Sequence, residues 1–406
     1  MKIRMLFALL FLTAALTGCF EKKGTDDQPA LPEQPSKVLD YLALSAHSLI
    51  SQQQPDGFFK YEYDFVAGAY TPWDNVIHQA RAGFALMQYY TFLINAGIDP
   101  RNAAIVLESV RKALKSYESA SVTHNSMPGK LLSFYYSKGG IGKNGTQDKL
   151  QRLEAEIAAS AFALTTALYH WNMTNSNEFE SIRREWRDAM LYHARKALAT
   201  PLEKRPFMAP LWLALTVYNQ TDPTNGEVAK TLKSVTAYFT RSPRPMKNAE
   251  DYSWDMMAAH LQSSDNLPIQ SFAARQTLTI TETLYAGHDT DVNGCLLSLG
   301  LAEGAQTIKP DASPDLRRIR QAALGRGQLE YYNSLKYTIL PNQTWISLGP
   351  GRTLHSQDFK RFTGASLFGV HMPRTNVGLT GLCLLAGMRF ATEDLKEIRQ
   401  KSELAH

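Results

Sequence analysis

The chain is 406 residues long, has a formal net charge of +5 and contains three cysteines. So small a positive charge, with no run of Lys or Arg, excludes the strongly basic surface typical of nucleic-acid binding. It favours at most mildly anionic partners, such as uronic-acid polymers or lipid head groups.

The first segment has the composition of a secretory signal. Lys2 and Arg4 precede an apolar run over residues 6–16 that is too short to remain as a membrane-spanning helix. The tetrapeptide Leu16-Thr17-Gly18-Cys19 resembles the lipobox of bacterial lipoproteins. This resemblance implies cleavage before Cys19, lipidation of its thiol and its new amino group, and a stable anchor of several acyl chains. The alternative is an ordinary signal peptide with a coincidental cysteine.

The residues after the lipobox predict where the mature protein lies. Phe20 rather than Asp follows the cysteine, which resembles an outer-membrane address in Gram-negative bacteria. Residues 20–36 are polar and proline-rich and cannot bury a core, so they are expected to form a disordered tether. We therefore predict a signal peptide (1–18), a lipidated tether (19–36) and one folded domain (37–406), on the periplasmic face of the outer membrane.

Helical windows dominate the rest of the chain. Amphipathic windows lie at 36–51, 101–120, 176–199, 226–241, 268–287 and 313–337. Nearly all-apolar windows alternate with them and lie at 75–93, 154–171, 205–219, 253–262, 291–306 and 376–390. A helix that is apolar all round must be surrounded by protein, whereas a helix with one apolar stripe lies outside. The alternation predicts an all-α fold, an (α/α)6 toroid of six inner and six outer helices.

The starts and spacing of the inner windows favour this toroid over a solenoid. Three of them begin with an N-cap residue type followed by valine, namely Asn75-Val76, Asp291-Val292 and Asn376-Val377. A tetratricopeptide solenoid would repeat about every 34 residues, and these windows do not. The extra length gathers before inner helices, at 54–74, 133–153 and 340–375, and long insertions at one end of a scaffold usually carry function.

Two stretches resemble the six-hairpin glycosidase and terpenoid-cyclase-like toroids. Residues 53–64 contain an Asp-Gly-x-Phe loop before the first inner helix, and residues 374–387 are similar to the closing unit of such proteins. In that unit Asn376 stands where relatives often have a carboxylate. The resemblance implies a site where the N-terminal ends of the inner helices converge. Free N–H groups at helix starts favour anionic or hydroxyl-rich ligands there.

Carboxylates at these predicted helix starts are the candidates for chemistry on a sugar, which needs two of them on opposite sides of the ring. They are Asp56, Glu62, Asp64, Asp74, Glu154, Glu156, Asp251, Asp255, Asp289 and Asp291. We assign the acid and base to Asp64 or Asp56 in the first unit and to Asp251 or Asp255 in the fourth. A turn is the alternative role for Asp56, and helix capping is the alternative for Asp74, Asp255 and Asp291.

Aromatic and cationic residues near these carboxylates are assigned to substrate binding. Tyr61, Tyr63 and Trp254 would form a sugar-stacking platform and Arg374 would clamp an anionic group, with His288 and Asn376 completing the set. A short hairpin packed on the ring is the alternative for the two tyrosines, and a structural ion pair is the alternative for Arg374 and for Arg81. The histidines at 78, 260, 288 and 371 also fall near predicted helix starts.

No cofactor or metal is expected. The pair His288-Asp289 could bind a metal, but the sequence lacks a His-Glu-x-x-His motif and its thiols are far apart. Cys295 and Cys383 remain after lipidation of the third cysteine, and both lie in apolar helical windows. Buried free thiols are the first expectation, while an oxidising compartment would permit a bridge between them.

Together these features predict a lipid-anchored, carbohydrate-active protein that acts on an envelope or exported polysaccharide. The reaction would be glycoside hydrolysis, or elimination or epimerisation at a uronic acid. The alternative is a non-catalytic accessory lipoprotein that binds a glycan or an envelope protein. Two carboxylates facing each other across an open funnel would favour the enzyme, whereas a funnel plugged by residues 351–371 would favour the binding protein.

Overall fold

The computed structural model describes most of the chain beyond residue 36. The described ranges are 37–72, 74–124, 127–133, 145–200, 209–241, 249–262, 266–285, 294–348, 352–369, 372–391 and 394–395, with the backbone alone at 145–151 and 283–285. Cys19, His288, Asp289, Asp291 and His371 therefore lie outside the described residues.

Within these ranges the chain forms twelve α-helices, numbered here in chain order. The odd-numbered helices match the amphipathic windows: α1 (Val38–Ser51), α3 (Pro100–Ser119), α5 (Glu180–Leu198), α7 (Gly226–Arg241), α9 (Leu267–Tyr285) and α11 (Pro314–Leu335). The even-numbered helices match the apolar windows: α2 (Val76–Ala96), α4 (Gly145–Thr174), α6 (Ala209–Thr221), α8 (Ala249–Leu261), α10 (Gly294–Thr307) and α12 (Val377–Phe390).

The even-numbered helices form a closed inner ring. Each contacts the next even-numbered helix along the chain, and α12 contacts α2. Each odd-numbered helix packs from outside on one or two members of this ring. The predicted (α/α)6 toroid is confirmed, and the alternation of apolar and amphipathic helices is its physical cause.

Small residues on the inner helices allow the close packing that the ring requires. A Cβ at Gly300 of α10 would lie 2.7 Å from the ring of Tyr252 on α8. A Cβ at Gly378 of α12 would lie 2.5 Å from the imidazole of His78 on α2. Both distances are below van der Waals contact, so a larger residue at either position would push neighbouring inner helices apart.

A disulfide between Cys295 and Cys383 links two adjacent inner helices, α10 and α12. The first expectation, two buried free thiols, is therefore wrong, and the alternative bridge is present. Both cysteines do lie in the apolar core, as their sequence environment indicated. The bridge closes a loop over a sequence separation of 88 residues.

An antiparallel sheet joins the first and last units of the toroid. Its order is β2-β1-β8-β7, from β1 (Glu62–Asp64), β2 (Ala69–Tyr70), β7 (Leu367–Gly369) and β8 (Met372–Asn376). Two smaller hairpins pair β3 (Ser121–Val122) with β4 (Leu131–Leu132) and β5 (Trp345–Ser347) with β6 (Thr353–His355). In the larger sheet Tyr63 pairs with Tyr70 of β2 and with Thr375 of β8, so the hairpin alternative is correct for Tyr63.

The described part of the insertion before α12 packs beside the ring. It contributes to a second hydrophobic cluster, formed by Tyr63, Phe65, Ile339, Ile346, Phe359, Phe362, Ala365 and Leu367. Gly364, at φ 87°, lies against the backbone of Leu44 in α1. At least this part of the insertion therefore packs against the outer helix α1.

Two inner helices begin earlier than predicted. Helix α4 begins at Gly145, inside a stretch expected to be a loop, and α8 begins at Ala249. Asp255 consequently lies in the second turn of α8, not at its cap, and His260 lies in the last turn, not near a start. Among the described helices, none combines the length and the apolar composition needed to cross a bilayer.

Candidate functional site

The inner helices begin at one common end of the ring. His78, in the first turn of α2, lies against Gly378 in the first turn of α12. Ser253, near the start of α8, donates a hydrogen bond to the carbonyl of Leu296, near the start of α10, at 2.7 Å. The helix starts therefore converge as expected for this fold, and this end of the ring is the candidate site.

The ring axis at this end is filled by an arginine and two aromatic rings. Arg81 of α2 is buried and forms an ion pair with Glu250, in the first turn of α8, the helix on the opposite side of the ring. Its guanidinium lies 5.3 Å from the ring centroid of Trp254 and 5.5 Å from that of Phe162 in α4. Burial lowers the pKa of Arg81 to about 9. These residues form the floor of the site.

Arg81 therefore has the ion-pair role that was the alternative to an anion clamp. Trp254 is fully buried beneath it, so the predicted sugar-stacking role of this indole does not fit the structure. Neither the Nε1 atom of Trp254 nor the Nε atom of Arg81 has a hydrogen-bond partner among the described residues.

Asp74 is a carboxylate at this end of the ring whose pKa is clearly raised above its usual value. It does not cap α2, because Asn75 does so by accepting hydrogen bonds from the backbone N–H groups of Ile77 and His78. Asp74 accepts instead from the N–H of Asn75 at 2.6 Å and from the side-chain amide of Gln79 at 2.9 Å. Burial raises its pKa to about 6 despite these two hydrogen bonds.

The Asp-Gly-x-Phe loop brings a second carboxylate towards Asp74. Asp56 accepts a hydrogen bond from the N–H of Phe58 at 3.1 Å, which confirms the turn role proposed for it. Gln79 anchors the loop by exchanging hydrogen bonds with the backbone of Phe59 at 2.8 and 2.6 Å. The charge of Asp56, which is exposed, contributes to the raised pKa of Asp74.

Asp64 and Arg374 are bound to each other at the edge of the sheet. The Nε atom of Arg374 donates to the carboxylate of Asp64 at 2.7 Å, and the N–H groups of Val66 and Ala67 donate to it as well. Burial acts to raise the pKa of Asp64, but these donors outweigh it and hold the pKa below its usual value. A carboxyl that stays ionised has no proton to donate, so Asp64 does not fit the general acid, and its bonds to Arg374 and to two backbone N–H groups favour a structural role.

The predicted tyrosine platform is divided between two environments. Tyr63 is buried in the second hydrophobic cluster and donates a hydrogen bond to Asp358 at 2.5 Å, so its ring has no face open to a sugar. Tyr61 is half-buried, and its ring centroid lies 5.5 Å from that of His78. Only Tyr61 therefore remains available to line the site.

The fourth unit places three carboxylates at the start of α8, opposite Asp74. Asp251 and Asp255 are both buried, whereas Glu250 is partly exposed beside Arg81. Glu250 was not among the predicted carboxylates, because its pairing with Arg81 depends on ring closure and leaves no signal in the neighbouring sequence. Asn376 is also buried, and its side chain caps α12 by accepting from the N–H of Leu379 at 2.7 Å.

Another acidic candidate, Glu156 of α4, belongs to a buried polar cluster. Its carboxylate accepts from Ser133 at 2.6 Å and from Arg152 at 3.0 Å, and it lies 3.2 Å from His124. These partners favour the structural interpretation of Glu156. Among the described residues, no group of three or more His, Cys, Asp or Glu side chains is arranged to hold a metal ion.

Comparison with known proteins gives relatives at the level of structure. The chain is similar to a family 76 glycoside hydrolase from a bovine Bacteroides thetaiotaomicron strain, with a TM-score of 0.57 and 10% identity over 88% of this chain and 78% of that one. It is also similar to the endoglucanase CelQ from Clostridium thermocellum in complex with cellotriose, with a TM-score of 0.56 and 10% identity over 88% and 71% of the two chains.

A third similar structure is an α-1,6-mannanase from Salegentibacter sp. HEL1_6. It is an inactive variant with two consecutive aspartates replaced by alanine, in complex with α-1,6-mannotetrose. The TM-score is 0.53 and the identity 11%, over 88% of this chain and 100% of that one. No protein-family model and no curated protein sequence matches the chain. At these identities the comparisons establish the fold that this chain shares with glycoside hydrolases, the (α/α)6 toroid.

Proposed function

We propose that the protein is a carbohydrate-active toroid with glycoside hydrolase-like chemistry at the end of the ring where the inner helices begin. The observation that carries this proposal is Asp74, a carboxyl with a pKa raised to about 6 at the head of the first inner helix. A carboxyl that keeps its proton near neutral pH is what a glycosidic leaving group requires of a general acid. The fold shared with the glycoside hydrolases described above supports the same chemistry.

In this mechanism Asp74 donates its proton to the glycosidic oxygen as the bond to the sugar breaks. Asp251, on the opposite side of the ring, is the partner carboxylate that activates a water or attacks the sugar carbon. The Arg81–Glu250 ion pair spans the ring between α2, which follows Asp74, and α8, which carries Asp251. Tyr61 contributes a half-exposed aromatic face.

The Asp74→Asn variant tests this assignment. We expect turnover to fall at least a hundredfold, because the amide cannot supply the proton that general acid catalysis contributes. In the unaltered protein activity should decline as the pH rises above about 6, since Asp74 is then increasingly deprotonated. The measurement is the release of reducing or unsaturated ends from α-1,6-mannan, a soluble β-1,4-glucan and a polyuronate, followed across pH.

Asp311→Asn is the matched control for this substitution. Asp311 is an exposed aspartate that follows α10, at the far end of the ring from Asp74. Its replacement removes the same charge, and we expect it to leave turnover unchanged. Full activity in Asp74→Asn, or equal losses in both variants, would refute Asp74 as the acid.

A second candidate function, glycan binding without turnover, is favoured by a specific difference. The mannanase variant described above is inactive and lacks two consecutive aspartates, and the only such pair in this sequence is Asp26-Asp27, ahead of the toroid. The filled ring axis also shortens the space available to a chain of sugars. Retention of a glycan by the unaltered protein, with no new ends released at any pH, would establish this alternative.

We further propose that the protein is anchored in the cell envelope by lipid on Cys19. The lipobox-like tetrapeptide carries this proposal, and the Cys295–Cys383 bridge supports it because disulfides persist in oxidising compartments outside the cytoplasm. The polar segment 20–36 would tether the toroid to the membrane, and Phe20 favours the outer membrane.

Labelling with a palmitate analogue tests the anchor. We expect the mature chain to begin at Cys19, to carry the label, and to exceed the mass of its peptide by several acyl chains. Cys19→Ser should abolish labelling because the acceptor thiol is gone, whereas Phe20→Asp, which alters only the address, should keep it. A mature N-terminus elsewhere, or label retained in Cys19→Ser, would contradict the proposal.

A further inference from the structure

A cavity lies at the opposite end of the ring from the candidate site. It has a volume of about 340 Å³, and its lining includes Trp171, Arg183, Arg184, Arg187, Tyr218 and Asp222. Trp171 and Tyr218 stand near the ends of the inner helices α4 and α6, and the arginines come from the outer helix α5. Its volume is within the range of small-ligand sites.

The three arginines of this cavity differ in how their charge is balanced. Arg184 forms an ion pair with Glu180, and Arg187 forms one with Asp188 at 2.7 Å. Among the described residues, Arg183 has no carboxylate oxygen within salt-bridge distance, and its Nη1 atom has no hydrogen-bond partner. In the described part of the chain, the cavity wall therefore contains one cation, Arg183, and one carboxylate, Asp222, that no ion pair neutralises.

The guanidinium of Arg183 is held in a fixed position. Its residue is 6% exposed, and its charge centre lies 4.4 Å from the ring centroid of Trp171. Burial lowers the pKa of Arg183, because a charge removed from water is less stable. The cation–π contact with Trp171 offsets part of this loss. A fixed planar guanidinium is well suited to bind carboxylate or phosphate.

We propose that this cavity binds a short saccharide that carries a carboxylate or phosphate group, with Arg183 as the principal anion contact. Arg187 adds a second cation, and its Nη1 atom lies 3.3 Å from the hydroxyl of Tyr218. Asn177 and Asp222 supply amide and carboxylate groups that hydrogen-bond sugar hydroxyls, and the rings of Trp171 and Tyr218 provide flat apolar surface for the sugar. The site is separate from Asp74 and does not depend on turnover.

Favourable interaction with the carbonyl ends of the inner helices does not by itself explain the arginines of this cavity. Cations near the carbonyl ends of α4 and α6 stabilise these helices in any case. Arg184 and Arg187 form ion pairs with carboxylates, as cations at a protein surface usually do. A purely structural arginine would be expected to have its donors satisfied and its surroundings filled by side chains. Arg183 lines the cavity, and its Nη1 atom is buried without a hydrogen-bond partner among the described residues.

Calorimetric titration of the full chain with four probes tests the proposal. The probes are a uronic-acid trisaccharide, a sugar phosphate, a neutral trisaccharide and inorganic phosphate, each titrated also into Asp74→Asn so that turnover plays no part. We expect at least one of the two anionic saccharides to bind ten times more tightly than the neutral one. Which of the two binds identifies carboxylate or phosphate as the anion. Equal affinity for inorganic phosphate would overturn the saccharide assignment.

Three variants locate the binding. Arg183→Gln should weaken binding of the anionic saccharide at least tenfold. Arg187→Gln, at a half-buried position, should also weaken it, and it provides the test if Arg183→Gln fails to fold. Arg195→Gln is the control, because Arg195 lies on the same helix in an exposed ion pair with Glu227, outside the cavity. Binding unaffected by Arg187→Gln and by a folded Arg183→Gln, or no binding of either anionic saccharide, would overturn the proposal.

Discussion

Removal of the Cys295–Cys383 bridge is expected to lower the free energy of unfolding by about 4–5 kcal/mol. The bridge closes a loop over a sequence separation of 88 residues, and the chain-entropy model predicts a loss of this size for so long a loop. The bridge also ties α12, the helix that closes the ring, to its neighbour α10. The measurement is urea unfolding of the protein with and without dithiothreitol.

The double variant Cys295→Ala/Cys383→Ala controls for effects of the reductant elsewhere. Made in a Cys19→Ser background, it contains no cysteine, so its unfolding midpoint should not respond to dithiothreitol. It should unfold at or slightly below the midpoint of the reduced protein, because two small cavities replace the buried sulfurs. Alkylation of both thiols in denaturant without reductant would show that no bridge forms and would contradict the expectation.

The fold was predictable because it depends on one property that each helix carries by itself. Whether a window is apolar all round or on one side decides whether its helix belongs inside or outside. Asn75 and Asn376 illustrate how local the signal is: each is an N-cap type before a valine, and each caps its helix in the structure. The starts of α4 and α8 were less predictable, since Gly145 and Ala249 follow polar stretches with weak periodicity.

The candidate site was less predictable because it depends on pairs that form across the ring. Arg81 and Glu250 are 169 positions apart, and only ring closure places them together. Asp64 was assigned as acid or base from its neighbours in sequence, whereas its partner Arg374 lies in β8, 310 residues further along the chain. One local signal for Asp74 was present: two N-cap residue types stand in a row, and only one of them can cap α2.

Replacement of Glu303 is the second change with a large expected effect. Glu303 is a buried carboxylate on α10 that lies 2.5 Å from the Nδ1 atom of His260 on α8 and 2.6 Å from the guanidinium of Arg389 on α12. It therefore joins three consecutive inner helices. We expect Glu303→Ala to destabilise the protein by about 3–5 kcal/mol, because the guanidinium of Arg389 and the imidazole of His260 lose this carboxylate and a cavity forms. Urea unfolding at neutral pH measures the loss.

Acidification separates this ion-pair contribution from simple packing. Burial acts to raise the pKa of Glu303, but Arg389 and His260 outweigh it and hold the pKa below its usual value of about 4.5. The contribution is therefore present above about pH 4.5 and is lost as the pH falls through the lower pKa of the folded protein. Glu303→Gln, which keeps the shape, should be less stable than the unaltered protein at neutral pH, and the difference should shrink on acidification.

The control is Glu227→Gln, in the exposed pair with Arg195, which should lower the free energy of unfolding by less than about 1 kcal/mol. A loss at Glu303→Gln no larger than that, or one that does not change with pH, would show that the three helices are held together by packing alone.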